Sequence, residues 1–213
     1  MVDKKTLDKY IKVLSTFNDV RGEGSSDCPF YNRVCYEDKL LIATDGKILC
    51  YKVVEENPEG ITHFETDRHG KYKKTEVNEM KGKNQKVIQR FDSDYDFSFT
   101  LDFDYPLPEK LMGKWKMRYL SGSKVTFDFD KEEVNFAFNG GWEADDGCTA
   151  VYGDVIKDFK GDCSIDMSLF IWQVLYIMKA TKEKKLYFRV NNYYKRIKIV
   201  AGEYTFLCLN CDY

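Results

Sequence analysis

Few side chains in this sequence combine the types and the spacing that enzymatic chemistry requires. Its two histidines, His63 and His69, both lie in a polar segment. A zinc site would need them to meet Cys208 and Cys211, and one C-x-x-C pair without a second is a poor zinc signature. The glycines at 22 and 24 lack the preceding strand and the spacing of a phosphate-binding loop. No serine, cysteine or lysine has an evident nearby base, so we expect no catalytic residue, no metal and no cofactor.

Two acidic clusters invite a cation-binding interpretation. Carboxylates are ligands of hard cations, and they occur close together at 92–96 and at 143–146. In the first cluster the acids alternate with serine and tyrosine, which is more typical of an exposed strand edge or loop. We therefore prefer the exposed-edge interpretation for that cluster.

Basic residues at helical spacing suit a different chemistry, the sequence-independent contact of cations with DNA phosphates. One row has the spacing i, i+4, i+7, a second has the spacing i, i+4, i+8, and two lysines accompany a third predicted helix. Solvated faces of ordinary amphipathic helices look the same, so both interpretations remain open. The candidate DNA-binding residues are Lys5, Lys9, Lys12, Lys110, Lys114, Arg118, Lys179 and Lys182.

Composition limits the classes of protein that fit. The chain of 213 residues is 43% hydrophobic and 32% charged, with a net charge of -2, whereas a dedicated nucleic-acid binder is usually clearly basic. A local basic face within this near-neutral total remains compatible. We expect no membrane span and no secretory signal, since long apolar runs are missing from the sequence. Seven scattered cysteines, an odd number, favour free thiols in a reducing cytoplasm.

The first basic row belongs to a predicted helix at about 4–17. A meander of three short strands follows at 33–54, with turn signals at 37–38 and 45–46. The helix carries an apolar stripe opposite the lysines, formed by Leu7, Ile11, Leu14 and Phe17.

This unit of a helix and a strand meander recurs. It appears again at 107–153 and at 168–209, while 55–105 contain a polar loop, a weakly helical stretch near 76–90 and a strand-like run at 95–103. Units of about 50 residues fill the chain evenly. We therefore predict an α+β protein of two similar domains, at 1–105 and 106–213. The alternative is one and a half domains with a long insertion.

Three stretches resemble the sliding clamps, especially the bacterial DNA polymerase III beta subunit: ATDGKILC at 43–50, GDCSIDMSLFIWQVLYIMK at 161–179 and EYTFLCLN at 203–210. The order of predicted elements from Lys124 to Cys211 is also similar to that of the last domain of the beta subunit. With it, the likeness covers about two-thirds of the chain and is weak at 55–105. The sequence also departs from the family, which has His-Arg where this chain has Lys47-Ile48, and ends in Met-Pro-Met where this chain has Leu209-Asn210-Cys211. A two-domain chain resembles the phage or mobile-element variants.

The resemblance implies the DNA clamp fold and a non-catalytic role in replication. In that family a ring encircles duplex DNA, and three two-domain chains complete it, so the expected state is a homo-trimer. The family also binds DNA polymerase and other partners through short peptides in an apolar pocket. Carried over by motif, that pocket consists of Thr44, Gly46, Lys47, Leu49, Leu207, Leu209 and Cys211.

Other interpretations of the same residues stay open. The leucines of the implied pocket are also plausible core residues. A clamp-fold structural or regulatory protein that does not encircle DNA is a second hypothesis, motivated by the missing His-Arg and Met-Pro-Met features. An α/β enzyme with an unrecognised active site is a third.

Overall fold

The computed structural model of the chain describes residues 3–17, 33–45, 48–54, 62–66, 71–75, 83–92, 95, 97–102, 124–128, 133–137, 164–166, 168–191 and 196–209. The chain divides into two compact units. The first comprises Met1–Asp94 and Glu203–Cys211, and the second comprises Tyr95–Gly202. The predicted domain boundary near 105 falls outside the described residues and stays a prediction.

The described residues form three helices and twelve strands. The helices are α1 (Lys4–Ser15), α2 (Lys83–Phe91) and α3 (Ser168–Thr181). The strands are β1 (Arg33–Glu37), β2 (Leu40–Thr44), β3 (Ile48–Val53), β4 (Thr62–Thr66), β5 (Tyr72–Thr75), β6 (Phe97–Asp102), β7 (Lys124–Asp128), β8 (Glu133–Ala137), β9 (Ser164–Asp166), β10 (Lys185–Asn191), β11 (Arg196–Ala201) and β12 (Tyr204–Leu209).

The sheet of the first unit is antiparallel, with the strand order β5-β4-β1-β2-β3-β12. The predicted hairpin at 45–46 is confirmed, since it joins β2 to β3 and the Asp45 carboxylate accepts the Ile48 N–H at 2.8 Å. The other predicted turn lies one residue later than expected. Asp38 and Lys39, with φ of 43° and 67°, form it, because a two-residue hairpin that matches strand twist needs positive φ at both central positions.

The polar segment interpreted as a loop contains the β4–β5 hairpin, which the sequence prediction missed. Its strands are largely polar and short, so they lack the apolar run that marks a central strand. Within the hairpin, Phe64 and Tyr72 form an edge-to-face pair with ring centroids 5.4 Å apart. Tyr72 also hydrogen-bonds to Asp8 on α1, so tertiary contacts stabilise strands that local sequence does not predict.

Helices pack on both faces of this sheet. Alternate strand residues point to opposite sides, so each face presents its own set of apolar side chains to a helix. On one side, α1 buries Ile11 and Leu14, and Phe17 meets Phe206 of β12 with ring centroids 4.9 Å apart. These positions confirm the apolar stripe of the predicted first helix. On the other side, α2 packs Ile88 and Phe91 into an apolar cluster with residues of β2, β3 and β12. The predicted weak helix near 76–90 is thus confirmed as α2 within the described residues, and 76–82 lie outside them.

The second unit contains an antiparallel sheet with the order β11-β10-β6 and a three-stranded sheet with the order β8-β7-β9. Strand β10 alternates exposed and buried residues, and its Phe188 stacks on Phe99 of β6 with centroids 4.7 Å apart. Helix α3 contacts β11. Strands β7 and β8 confirm two strands of the unit predicted at 107–153, and β10 to β12 confirm the meander of the unit predicted at 168–209. The helix predicted at the start of the 107–153 unit lies outside the described residues.

Candidate nucleic-acid interface and peptide site

Helix α1 presents the first basic row to solvent. Asp3 caps the helix by accepting the Thr6 N–H at 3.0 Å, which fixes where the first turn begins. With Ile11 and Leu14 fully buried on the sheet, the opposite face is exposed. The exposed side chains on that face include the three predicted lysines, Lys5, Lys9 and Lys12.

An acidic residue that the sequence prediction missed lies beside this row. The Glu203 carboxylate, in the turn that precedes β12, is 3.7 Å from the Lys9 ammonium and 3.2 Å from that of Lys52. It also accepts the Tyr10 hydroxyl at 3.2 Å. Tyr10 and Glu203 are 193 positions apart, so no local sequence pattern links them. Glu203 therefore places a negative charge beside one lysine of the row, Lys9.

The pKa values of this group follow from the same contacts. Partial burial raises the pKa of Glu203, but the hydrogen bond and charge of Lys52, with the Tyr10 hydroxyl and Lys9, outweigh it and leave the pKa below its ordinary value. Burial, followed by the charge of Glu203 and its hydrogen bond, raises the pKa of Tyr10. Glu203 is therefore ionised at neutral pH and neutralises part of the row.

One of the two predicted lysines at the end of α3 has a structural role that the sequence did not predict. Lys179 and Lys182 are both exposed, as the phosphate-contact hypothesis requires. Lys182 has a φ of 66°, and its N–H bonds to the Met178 carbonyl at 2.9 Å, so this residue also ends the helix in the left-handed conformation. The remaining predicted DNA-binding residues lie outside the described part of the chain, and they are Lys110, Lys114 and Arg118.

The described residues of the predicted peptide pocket lie on three adjacent strands. Leu49 of β3 pairs in register with Thr44 of β2 on one side and with Leu207 of β12 on the other. The Thr44 hydroxyl donates to the Ile48 carbonyl at 2.7 Å. Leu209 is the last residue of β12, whereas Gly46, Lys47 and Cys211 lie outside the described residues. The structure thus brings the hairpin and the terminal strand together.

The two central leucines of this set are buried rather than open to a groove. Leu49 is 7% exposed and Leu207 is 2% exposed. Both belong to the α2 cluster, whose other buried members are Ile42, Tyr51, Ile88 and Phe91. Burial is compatible with a supporting role beneath a binding site, and the peptide-binding role of the set stays a prediction.

Cysteine and histidine positions bear on the zinc hypothesis. Cys208 is fully buried and burial raises the pKa of its thiol, whereas a zinc ligand must be a thiolate. His63 lies in β4, and His69 lies outside the described residues. Among the described residues, no three histidine, cysteine or acidic side chains group as a metal site would require. Within the same residues, no helix has both the length and the apolar character needed to cross a membrane.

Comparison with known proteins finds likeness in structure and not in sequence. No protein-family model and no curated protein sequence matches the chain. In structure, it is similar to the DNA polymerase III beta chain from Streptococcus pneumoniae TIGR4, with a TM-score of 0.66, 11% identity and coverage of 100% of this chain and 64% of that one. The chain thus spans just under two-thirds of that length.

Two further solved structures give the same result. The beta subunit from Pseudomonas aeruginosa matches with a TM-score of 0.65 and 11% identity, over 99% of this chain and 65% of that one. The beta subunit from Borrelia burgdorferi, solved in complex with a natural product, matches with a TM-score of 0.60 and 14% identity, over 99% and 63%. At such identities the likeness establishes the fold alone.

Proposed function

Because this chain has the fold of the DNA polymerase III beta sliding clamps, we propose that it is a non-catalytic processivity factor that encircles duplex DNA as a ring. The fold itself confirms the predicted α+β clamp architecture. The observation that carries the proposal is the extent of the likeness, which covers the whole of this chain. A fold alone does not imply a function, so the residues of the site must support the proposal independently.

The proposed assembly is a homo-trimer. The chain spans 64% of the length of the Streptococcus pneumoniae beta chain, close to two domains out of three. A ring of six domains, as the family resemblance implies, then needs three copies. Its expected mass is three times 25.0 kDa, or 75 kDa. The closed symmetry of such a ring requires each copy to contribute two different and complementary surfaces.

The proposed DNA contact is the exposed basic row of α1. Ammonium groups on mobile stems suit phosphate contact without sequence preference, which sliding requires. Lys5 and Lys12 supply such groups, while Lys9 is held beside Glu203. We extend this proposal to the other predicted basic residues, Lys110, Lys114, Arg118, Lys179 and Lys182.

The proposed tether for DNA polymerase and other partners lies where the β2–β3 hairpin meets the end of β12. The hairpin and β12 are adjacent through the pairing of Leu49 with Leu207. In this proposal the two buried leucines support the site from below, and the peptide contacts the turn and the strand end. Those contact residues are Thr44, Gly46, Lys47, Leu209 and Cys211.

The proposal places the protein in a reducing compartment such as the cytoplasm and assigns it no catalysis. Among the described residues, Cys35, Cys50 and Cys208 are buried thiols that form no disulfide. A free buried thiol behaves as a small apolar side chain and persists where disulfides are kept reduced.

Size-exclusion chromatography with light scattering tests the assembly. We expect a mass near 75 kDa, three times 25.0 kDa. A strict monomer at every concentration would overturn the ring and favour a clamp-fold interaction protein that does not encircle DNA.

A retention assay tests encirclement directly. Protein loaded on a nicked circular duplex is expected to remain bound in high salt and to leave once the circle is cut, because a ring slides off a free end. Charge reversal of the α1 row should reduce loading at every DNA sequence. The variant reverses Lys5, Lys9 and Lys12, and the matched control reverses three exposed lysines elsewhere, Lys71, Lys73 and Lys86.

A further inference from the structure

The second unit carries a solvated sheet face that the clamp proposal does not use. On β10 the side chains of Lys185, Tyr187 and Arg189 are exposed, while the intervening Leu186 and Phe188 are fully buried. Strands β6 and β11 flank β10 and extend the same face through the pleat. We define the basic-aromatic face as Lys185, Tyr187, Arg189, Lys198, Ser98 and the preceding Tyr95.

Positive charge is concentrated on this face. Opposite Arg189 of β10 lie Ser98 of β6 and Lys198 of β11, and opposite Lys185 lies Asp102. The face as defined therefore holds three cationic residues, Lys185, Arg189 and Lys198, although the whole chain has a net charge of -2.

Aromatic rings are interleaved with these charges. The Arg189 guanidinium carbon lies 5.7 Å from the ring centroid of Tyr187 and 5.9 Å from that of Tyr95. Tyr187 is 36% exposed. Hydrogen bonds with Ser98 and Arg189 lower the pKa of Tyr187 and restrain its ring. The Arg189 guanidinium therefore lies within 6 Å of two tyrosine rings on the exposed side of β10.

We propose that the basic-aromatic face binds single-stranded nucleic acid. Cations along a sheet contact phosphates, while tyrosine rings and a guanidinium plane stack on bases, since every base has a π-face. Duplex DNA hides those π-faces inside its stack, so the aromatic component adds affinity only for unpaired bases. An acidic peptide would use the charges without the rings, so the observations favour nucleic acid. The inference goes beyond duplex encirclement and does not depend on it.

Fluorescence anisotropy with a labelled 20-nucleotide oligo-dT tests the proposal, with a duplex of equal length as the comparison. We expect the single strand to bind more tightly to this face. Tyr187→Thr should weaken single-strand binding roughly 5- to 150-fold, the factor that corresponds to loss of one stacked base. Tyr187→Phe, which keeps the ring, should bind like the parent. The matched control is Lys73→Thr, a change of an exposed strand residue in the first unit.

Salt dependence separates the charges from the rings. Each phosphate contact on a single strand contributes a slope of about -0.7 to the plot of log affinity against log salt. Three contacting cations predict a slope of about -2. Lys198→Thr should reduce the magnitude of this slope by about 0.7. Arg189→Lys should keep the slope but lose affinity, because an ammonium does not stack like a guanidinium.

The outcomes distinguish this inference from the clamp proposal. Reversal of Lys5, Lys9 and Lys12 should impair duplex loading and leave oligo-dT binding unchanged, whereas Tyr187→Thr should do the opposite. Tyr187→Thr protein that keeps its circular-dichroism spectrum and binds oligo-dT like the parent overturns the inference. So does equal competition by a polyglutamate peptide, which would indicate a surface for acidic proteins. If the variant does not fold, the rate of Tyr187 nitration in the parent protein tests the inference instead. Bound oligo-dT should protect that ring from nitration, and an unchanged rate overturns the inference.

Discussion

Substitution of Leu207 by alanine tests whether the predicted pocket wall is a buried core. Leu207 is 2% exposed, lies in β12 and pairs in register with Leu49. Its cluster includes Ile88 and Phe91 of α2, which cover this face of the sheet. Removal of the side chain should therefore leave a cavity between the sheet and the helix.

The expected magnitude follows from burial. Buried leucine-to-alanine changes cost about 2–5 kcal/mol through lost transfer free energy and cavity formation. We take a loss of about 3 kcal/mol in the free energy of unfolding. With a urea slope of about 1–3 kcal/mol per molar, the urea concentration at the unfolding midpoint should fall by about 1–3 M. The melting temperature should fall by about 6–12 °C, at about 2–4 °C per kcal/mol for a chain of this size.

The assay is urea unfolding followed by circular dichroism, with Val53→Ala as the control. Val53 is 52% exposed at the end of β3, so its truncation should cost less than about 1 kcal/mol. If Leu207→Ala were no more destabilising than Val53→Ala, Leu207 would not be packed beneath α2 and our account of the cluster would be wrong. A chain ending at Phe206 should unfold for the same reason, since it lacks both Leu207 and the fully buried Cys208.

Three other predictions concern charge and thiol chemistry. Glu203→Gln should tighten duplex binding by up to about 5-fold, because Lys9 then loses its counter-charge. This factor is the equivalent of about 1 kcal/mol for an exposed ion pair. Titration with labelled duplex measures the affinity, and unchanged or weaker binding contradicts the prediction. Since the folded-state pKa of Glu203 lies below 4.5, its stabilising contribution is present above that pH and is lost as the pH falls through the lower folded-state value. The stability difference between parent and Glu203→Gln protein should therefore shrink on acidification, and a pH-independent difference would refute the assignment. Burial raises the thiol pKa at three sites, so mass spectrometry after iodoacetamide at pH 8 should find these cysteines labelled only in denaturant, and rapid native labelling would contradict the burial of Cys35, Cys50 and Cys208.

Local periodicity was sufficient to predict much of the fold. The helical spacing of Ile11, Leu14 and Phe17 predicted which side of α1 is buried, because side chains three and four residues apart share a helix face. Strands β10 and β11 lie in the meander predicted at 168–209, and each alternates buried with more exposed residues. The Asp45 hairpin was predictable because its turn chemistry is local. The exposure of the α1 lysines followed from the same pattern.

Contacts between distant segments could not be predicted in this way. Pairing of β12 with β3 brings Leu207 against Leu49, and it also places Glu203 beside Lys9 and Lys52. The sequence does not show whether a given leucine is covered by a helix or exposed in a groove. The packing of α2 therefore determined that Leu207 is buried. Sequence periodicity therefore determined which faces are apolar, and the tertiary structure determined which faces meet, because that choice depends on chain segments nearly 200 residues apart.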